Sequence, residues 1–412
     1  MAMASSFPVL KFIDEQGDNI ITDFAYDYHG RRIATVSADA VIRIRDRDDN
    51  GVWCVDDGCE IRNAHQQGTL WKVDWANPRF GRQLLATCSQ DRTVKIWEEN
   101  SEAAPGSDRP GSVGAWSPRG APRWMTVATL YDSKYGVVDV KFAPPHFGLR
   151  LASASEDGCV RVYCAPDLTS ASIWKLESSF TPCLEELGGG VTCISWCRSP
   201  FLKPLLVVGT MSGLVQIWLS NGAAEGTGKW SEVAVHLPGH PRSGVASVDW
   251  SPQFCTSYDR IATCGGDGRL QVHRLERKGL AEEAWHKDIQ TVQVKDEKGE
   301  SEGVAWSAEF DVNGTSLCST DGSTCRTWAS DVDGNWFCVD IFQEVGVVGV
   351  GGGGGGGAGG GGGSGGERKV MRMANRHEDM AVAPATGAAG VSPMAAASSA
   401  VVGLHVPEML EG

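Results

Sequence analysis

The residues able to act on a substrate are few. His65, Asp91 and a hydroxyl from Thr87 or Ser89 fall in one stretch, with Trp97 six residues after the acid. A base, a hydroxyl nucleophile and an orienting carboxylate are the parts of acyl-transfer catalysis. The remaining histidines are scattered, and His377 and His405 stand near the C-terminal end. Thirteen cysteines include no Cys-x-x-Cys pair and no Cys/His set at zinc spacing. Cys88, Cys193, Cys264 and Cys318 lie in apolar, strand-like runs and read as buried, reduced thiols. Gly346 to Gly366 is almost pure glycine, but no Gly-Lys-Ser/Thr follows, so it does not read as a phosphate cradle. The expectation is no metal, no cofactor and no catalytic set.

The elements that would position His65 and Asp91 explain why. The chain repeats a unit. One copy runs Leu70 to Trp75, Leu84 to Ser89 and Asp91 to Trp97; another runs Val138 to Phe142, Leu151 to Ser155 and Asp157 to Tyr163. Val138, Val140 and Phe142 alternate with Asp139 and Lys141, the period of a strand with one covered face. Asp157-Gly158 reads as a hairpin turn, since both residues accept positive φ cheaply. The turn position recurs at Asp39, Asp91, Asp157, Ser212, Asp267 and Asp321. Arg45, Trp97, Tyr163, Trp218 and His273 follow six residues later in the first five copies; Trp328 follows by seven, which reads as an inserted residue. An earlier aromatic recurs at Tyr26, Trp75, Phe142, Trp196, Trp250 and Phe310. Six units at intervals of roughly 50–65 residues, with Gly239-His240 and its variant Ala64-His65, fit a WD repeat with long loops. In that setting His65, Ser89 (or Thr87), Asp91 and Trp97 are a strand-linking hydrogen-bond set rather than a catalytic one.

The fold expected is therefore all-β, a six-bladed WD-repeat propeller over residues 1–344, with blades starting near 20, 70, 136, 190, 244 and 303. Trp75, Trp196 and Trp250 are read as inter-blade packing. A glycine linker over 345–366 and a disordered tail over 367–412, with at most a transient helix around Glu367 to Met380, complete the chain. Residues 100–124 read as a long polar loop in which Trp124 anchors the next strand and Trp116 is open to a partner. The charged stretch 276–302 reads as a solvated hairpin or loop.

A net charge of −14 argues against direct nucleic-acid binding and against an electrostatic membrane anchor. No run of about 18 apolar residues is present to cross a membrane. The N-terminus does not resemble a signal peptide. The ring either closes on six blades or stays open for strands from another chain.

Several runs carry a family likeness: His29 to Thr35, Trp75 to Gly81, Asp91 to Glu99, Val140 to Leu149 and Arg161 to Asp167. Over roughly residues 5–342 the chain resembles the Sec-thirteen homologue (Seh) family of propeller nucleoporins. The resemblance implies an open six-bladed propeller completed in trans by a blade from an α-helical scaffold nucleoporin. It implies a scaffold role with the other subunits of the Y-shaped complex, peripheral to the nuclear envelope, and a second role in nutrient signalling at the lysosome or vacuole surface. The inserted blade should lie between the first and last blades. Phe7, Val9, Leu10 and Phe12, with Ile20, Thr22 and Phe24 of the first inner strand, are the interface candidates; packing within blade one is the alternative for each. A closed propeller that reads peptides or ubiquitin-ligase substrates is the competing functional class.

Overall fold

In the computed structural model the described residues are 21–47, 53–54, 59–66, 68–100, 124–167, 171–182, 190–200, 202–221, 229–233, 237–241, 243–252, 258–276, 290–294, 307–320, 324–331, 335–345 and 372–375. They form six antiparallel sheets in chain order. Blade 1 is β1 (Ile21–Tyr26), β2 (Arg32–Ser37), β3 (Ile42–Arg47) and β4 (Trp53–Cys54), with β5 (Glu60–Ile61) also on β3. Blade 2 is β6 (Leu70–Trp75), β7 (Leu84–Ser89), β8 (Val94–Glu99) and β9 (Trp124–Leu130). Blade 3 is β10 (Val137–Phe142), β11 (Arg150–Ser155), β12 (Val160–Cys164) and β13 (Lys175–Phe180). Blade 4 is β14 (Val191–Trp196), β15 (Leu205–Thr210), β16 (Val215–Ser220) and β17 (Trp230–Glu232). Blade 5 is β18 (Val245–Trp250), β19 (Tyr258–Gly265), β20 (Leu270–Glu276) and β21 (Gln290–Val294), the last a strand within the charged stretch. Blade 6 is β22 (Ser307–Phe310), β23 (Ser316–Thr320), β24 (Thr324–Ser330), β25 (Trp336–Val345) and β26 (Arg372–Asn375).

Turn chemistry sets the hairpins. In each of the first five blades the second and third strands are joined by a tight turn whose last residue is left-handed: Ala40, Arg92, Gly158, Gly213 and Gly268. Each donates its amide three residues back, as Arg92 does to the Ser89 carbonyl at 3.2 Å. Three-residue hairpin loops take this form because the left-handed residue restores the strand register. The turn acid supports it: Asp91 Oδ1 accepts the Thr93 amide at 3.0 Å, and Asp157 Oδ1 that of Cys159 at 3.0 Å.

The inner strands of blades 1 to 5 each carry a bulge at the same place, as between Leu70 and Lys72 or Val137 and Asp139. It replaces the simple alternation expected for β10. Val137, Val140 and Phe142 are buried, and so is Asp139, so this strand has no solvated face. The sixth copy also differs from the sequence expectation. Leu317 pairs with Trp328 as Leu85 pairs with Trp97, which leaves eleven residues from one to the other against twelve. Strand pairing thus makes the sixth hairpin one residue shorter, not longer.

Five apolar cores lie between successive blades, and the tryptophans fill them. Trp75 sits between blades 1 and 2 in a T-shaped contact with Trp124, the first residue of β9. Trp196 and Trp230 lie between blades 3 and 4, and Trp250 is fully buried between blades 4 and 5. Inner strands pack in sequence: β1 on β6, β6 on β10, β10 on β14, β14 on β18 and β18 on β22. Among the described residues no comparable packing joins β22 to β1.

Within the stretch Glu367 to Met380, where a transient helix was expected, the four described residues are a strand; the rest of the expected tail, and the linker beyond Val345, lie outside the described residues. Arg372–Asn375 adds a strand to the outer edge of blade 6, with Val345 opposite Arg372.

Candidate functional site

His65, Thr87, Asp91 and Trp97 form a strand clamp. His65 Nδ1 lies 2.9 Å from Asp91 Oδ2, and its Nε2 3.0 Å from Thr87 Oγ1. Trp97 Nε1 donates to the same hydroxyl at 2.9 Å. The hydroxyl between His65 and Trp97 therefore comes from Thr87 rather than Ser89. Ser89 Oγ accepts the Asp91 amide at 3.2 Å and belongs to the turn. His65 and Thr87 are buried, and the Thr87 hydroxyl is held between His65 and Trp97, so this hydroxyl is not presented to a substrate. Burial holds the His65 pKa below its ordinary value against the pull of Asp91. Blade 5 repeats the arrangement: His240 Nδ1 is 2.8 Å from Asp267, its Nε2 3.1 Å from Thr263 Oγ1, and His273 occupies the place of Trp97. Burial pushes His273 down to about 3, with His240 adding to the shift. Among the described residues no group of three or more His, Cys, Asp or Glu side chains is placed to hold a metal ion.

A second set of bonds, missed in the sequence, ties each blade to the next. Asp23 Oδ2 accepts the Val73 amide at 3.0 Å, Asp74 Oδ2 that of Phe142 at 2.6 Å, and Asp139 Oδ2 that of Ile194 at 2.8 Å. Ser195 Oγ accepts the Trp250 amide at 3.0 Å, and Asp249 Oδ2 that of Phe310 at 2.8 Å. At least one inner-strand side chain thus crosses every interface from blade 1 to blade 6. Lys72 balances part of the acid, 3.0 Å from Asp23. Burial raises Asp74 to about 6, with Lys141 opposing. The available signal was the recurrence of an acid just before the inner-strand aromatic, at Asp74 and Asp249.

The interface candidates separate. Phe7, Val9, Leu10, Phe12 and Ile20 lie outside the described residues. Thr22 is committed inward: its hydroxyl donates to the Leu70 carbonyl at 2.6 Å and so holds blade 2. Phe24 is 52% exposed, although its counterparts Val73, Val140, Ile194, Val248 and Ala308 are at most 6% exposed. Its ring meets Tyr26 edge-on at 6.1 Å, and Tyr26 lies 5.8 Å from Trp53. On the same face Arg45 stands where Trp97 stands in blade 2, and donates to Thr35 Oγ1 at 3.1 Å.

Blade 6 departs in the same way on its far side. The face each blade turns to its successor is aliphatic: Ala86, Cys88, Val94 and Ile96 in blade 2, and Ala262, Cys264, Leu270 and Val272 in blade 5, all buried. By strand register the same places in blade 6 hold Cys318, Thr320, Cys325 and Thr327. The first three are half-buried. The Thr327 hydroxyl is buried and has no hydrogen-bond partner.

The family model described as "WD domain, G-beta repeat" matches residues 49–98 and 231–274, the two stretches that hold His65 and His240. The chain is 32% identical to Nucleoporin SEH1-A of Xenopus laevis over 349 residues, 82% of this chain and 89% of that one. It is 32% identical to Nucleoporin SEH1 of Danio rerio over 347 residues (82% and 88%), and 30% identical to Nucleoporin SEH1 of Homo sapiens over 347 residues (82% and 89%).

Proposed function

Because this chain belongs to the SEH1 nucleoporin family, we propose that it is a non-catalytic structural subunit of the nuclear pore that works through an open propeller edge. An α-helical scaffold nucleoporin fills that edge with a blade in trans, and other Y-complex subunits assemble around the pair. The observation that carries this reading is the contrast in side-chain chemistry. Five inter-blade faces are aliphatic and closed, while the outer faces of blades 1 and 6 carry an exposed Phe24, Arg45 and a Cys/Thr set. A strand-bearing partner suits such a face because it supplies main-chain bonding as well as side chains. The chain acts at the nuclear envelope as a peripheral member, supporting protein and mRNA transport by holding the scaffold's shape. A further pool at the lysosome or vacuole surface, in a nutrient-sensing complex upstream of the TOR kinase, belongs to the same proposal. It would use the same edge.

The test is size-exclusion chromatography with hydrogen exchange, on the chain alone and co-expressed with a candidate α-helical scaffold nucleoporin. The expected result is a shift to a stable complex and slowed exchange over β1 when the partner is present. A lone chain already protected there and indifferent to the partner would favour a closed ring and the peptide-reading class.

A further inference from the structure

Cys318 and Cys325 occupy β23 and β24 on the side of blade 6 turned away from blade 5. Their register partners settle the orientation: Cys318 lies opposite Thr327, and Thr320 opposite Cys325, while the alternate pair Leu317 and Trp328 packs into the blade 5 core. The two cysteines are thus diagonal neighbours on one face. Their Sγ atoms lie 3.1 Å apart, and both residues are half-buried. The places they fill hold Ala86 and Val94 in blade 2, and Ala262 and Leu270 in blade 5, all closed from solvent. A face that needed only to seal against a neighbour would have no use for two thiols in contact.

We propose that Cys318 and Cys325 are a reversible modification site, oxidised to an intrablade disulfide by a peroxide. The sulfur of Cys325 attacks hydrogen peroxide; an S–O bond forms, the O–O bond breaks, and the proton released goes to the departing hydroxide as water. The sulfur of Cys318 then displaces hydroxide from that sulfenic acid. An S–S bond forms, the S–O bond breaks, and the Cys318 proton leaves with the hydroxide as a second water. Two thiols and one peroxide thus give one disulfide and two waters, and a dithiol reductant reverses the result. The contact with Cys325, followed by burial, holds the Cys318 thiol well above its ordinary pKa, which fits Cys325 as the sulfur oxidised first. Closing the gap to a disulfide length near 2.05 Å takes a movement of about 1 Å, shared between the two side chains and the strands that carry them. The product ties β23 to β24 on the surface that an inserted blade would meet. Only this consequence rests on the open-edge reading; the cross-link forms in the chain by itself.

The experiment uses the full chain. It is reduced, treated with hydrogen peroxide, alkylated, digested and analysed by mass. The expected result is a peptide spanning both cysteines that is two hydrogens lighter and resistant to alkylation, with alkylation restored by a dithiol. Hydrogen exchange over β23 and β24 should slow several-fold in the oxidised chain. Cys318→Ser should abolish the cross-link and send Cys325 on to sulfinic acid; Cys325→Ser, prepared in parallel, should leave Cys318 alkylatable after the same treatment. Recovery of both cysteines fully alkylated after peroxide, or a cross-link from either of them to Cys338, would overturn the proposal. The readout is made on the chain alone, so it does not depend on whether a partner docks.

Discussion

Blade 3 and blade 6 are built from the same strand plan and treat their far sides differently. Ala152, Ala154, Val160 and Val162 of blade 3 are all buried against blade 4, and Asp139 sends a carboxylate across to the Ile194 amide. The corresponding residues of blade 6 are Cys318, Thr320, Cys325 and Thr327, three of them half-buried. Both blades pair four strands antiparallel, although blade 6 lacks the inner-strand bulge, has the shorter hairpin and carries the added β26; at these matched positions the far-side difference is one of side chains. Pairing of strands makes a blade; aliphatic side chains make a blade into half of an interface. Blade 1 mirrors this on the opposite side, with Phe24 exposed where Ile194 is buried.

The sharpest way to break the comparison is to truncate equivalent positions. Ile194→Ala should cost about 2–5 kcal/mol in urea unfolding, as expected for a buried aliphatic that leaves a cavity. Phe24→Ala should change the stability of the lone chain by less than about 0.5 kcal/mol. Equal losses would mean that the blade 1 face is as closed as the others. Acid should act on the interior next. The folded pKa of His273, about 3, lies below the ordinary 6.5. The unfolded chain therefore binds the extra proton between those values. The His273 contribution is complete above pH 6.5 and declines as pH falls, by about 2–3 kcal/mol at pH 4.5. Asp74, raised to about 6, has the opposite sign: its contribution is complete below the ordinary carboxylate pKa and is lost as pH rises through about 6. Parent and His273→Gln must therefore be compared over the same window, and an unchanged slope in the variant would refute the assignment.

Cutting a bridge should have a smaller effect. Asp139→Ala removes the acceptor for the Val140 and Ile194 amides and should cost about 1–3 kcal/mol in the same unfolding experiment. A neutral result would mean that water replaces the carboxylate between blades 3 and 4. The smallest effect sharpens the contrast from the other side. Thr327→Val removes a buried hydroxyl without a hydrogen-bond partner and should stabilise the lone chain by about 1 kcal/mol. A loss of that size would show that the hydroxyl is already satisfied in solution.

Much of this architecture was legible in the sequence. The spacing from turn acid to aromatic located the hairpins. The Gly-His and Ala-His dipeptides marked His240 and His65, and the high tryptophan count pointed to inter-blade packing. What period-two alternation could not say is what lies on the second face of a strand. Asp139 reads as a solvent residue by pattern, yet it is 2% exposed because another blade covers it. The choice between Thr87 and Ser89 was invisible for a related reason. Both lie on one side of β7, and only the pairing of Leu85 with Trp97 brings the indole nitrogen to Thr87. In blade 6, counting from Asp321 suggested an inserted residue where the strand pairs leave one fewer, because register is set by the pairs rather than by the turn. The strand at Arg372–Asn375 carries no apolar alternation at all; its pairing is through main chain, which composition does not report.

The five inter-blade bridges have a mechanical meaning. Each joins only neighbours, so along the path from blade 1 to blade 6 they act as links in series: a load carried that way passes through every link between. The compliance of the whole is then the sum of its link compliances and is dominated by the weakest. Of the five, four use a carboxylate and the link between blades 4 and 5 uses the shorter, uncharged Ser195 hydroxyl. At that joint a bending load also falls on the Thr192 hydroxyl, which donates to the Val245 carbonyl at 2.7 Å, and on the apolar core around Trp250.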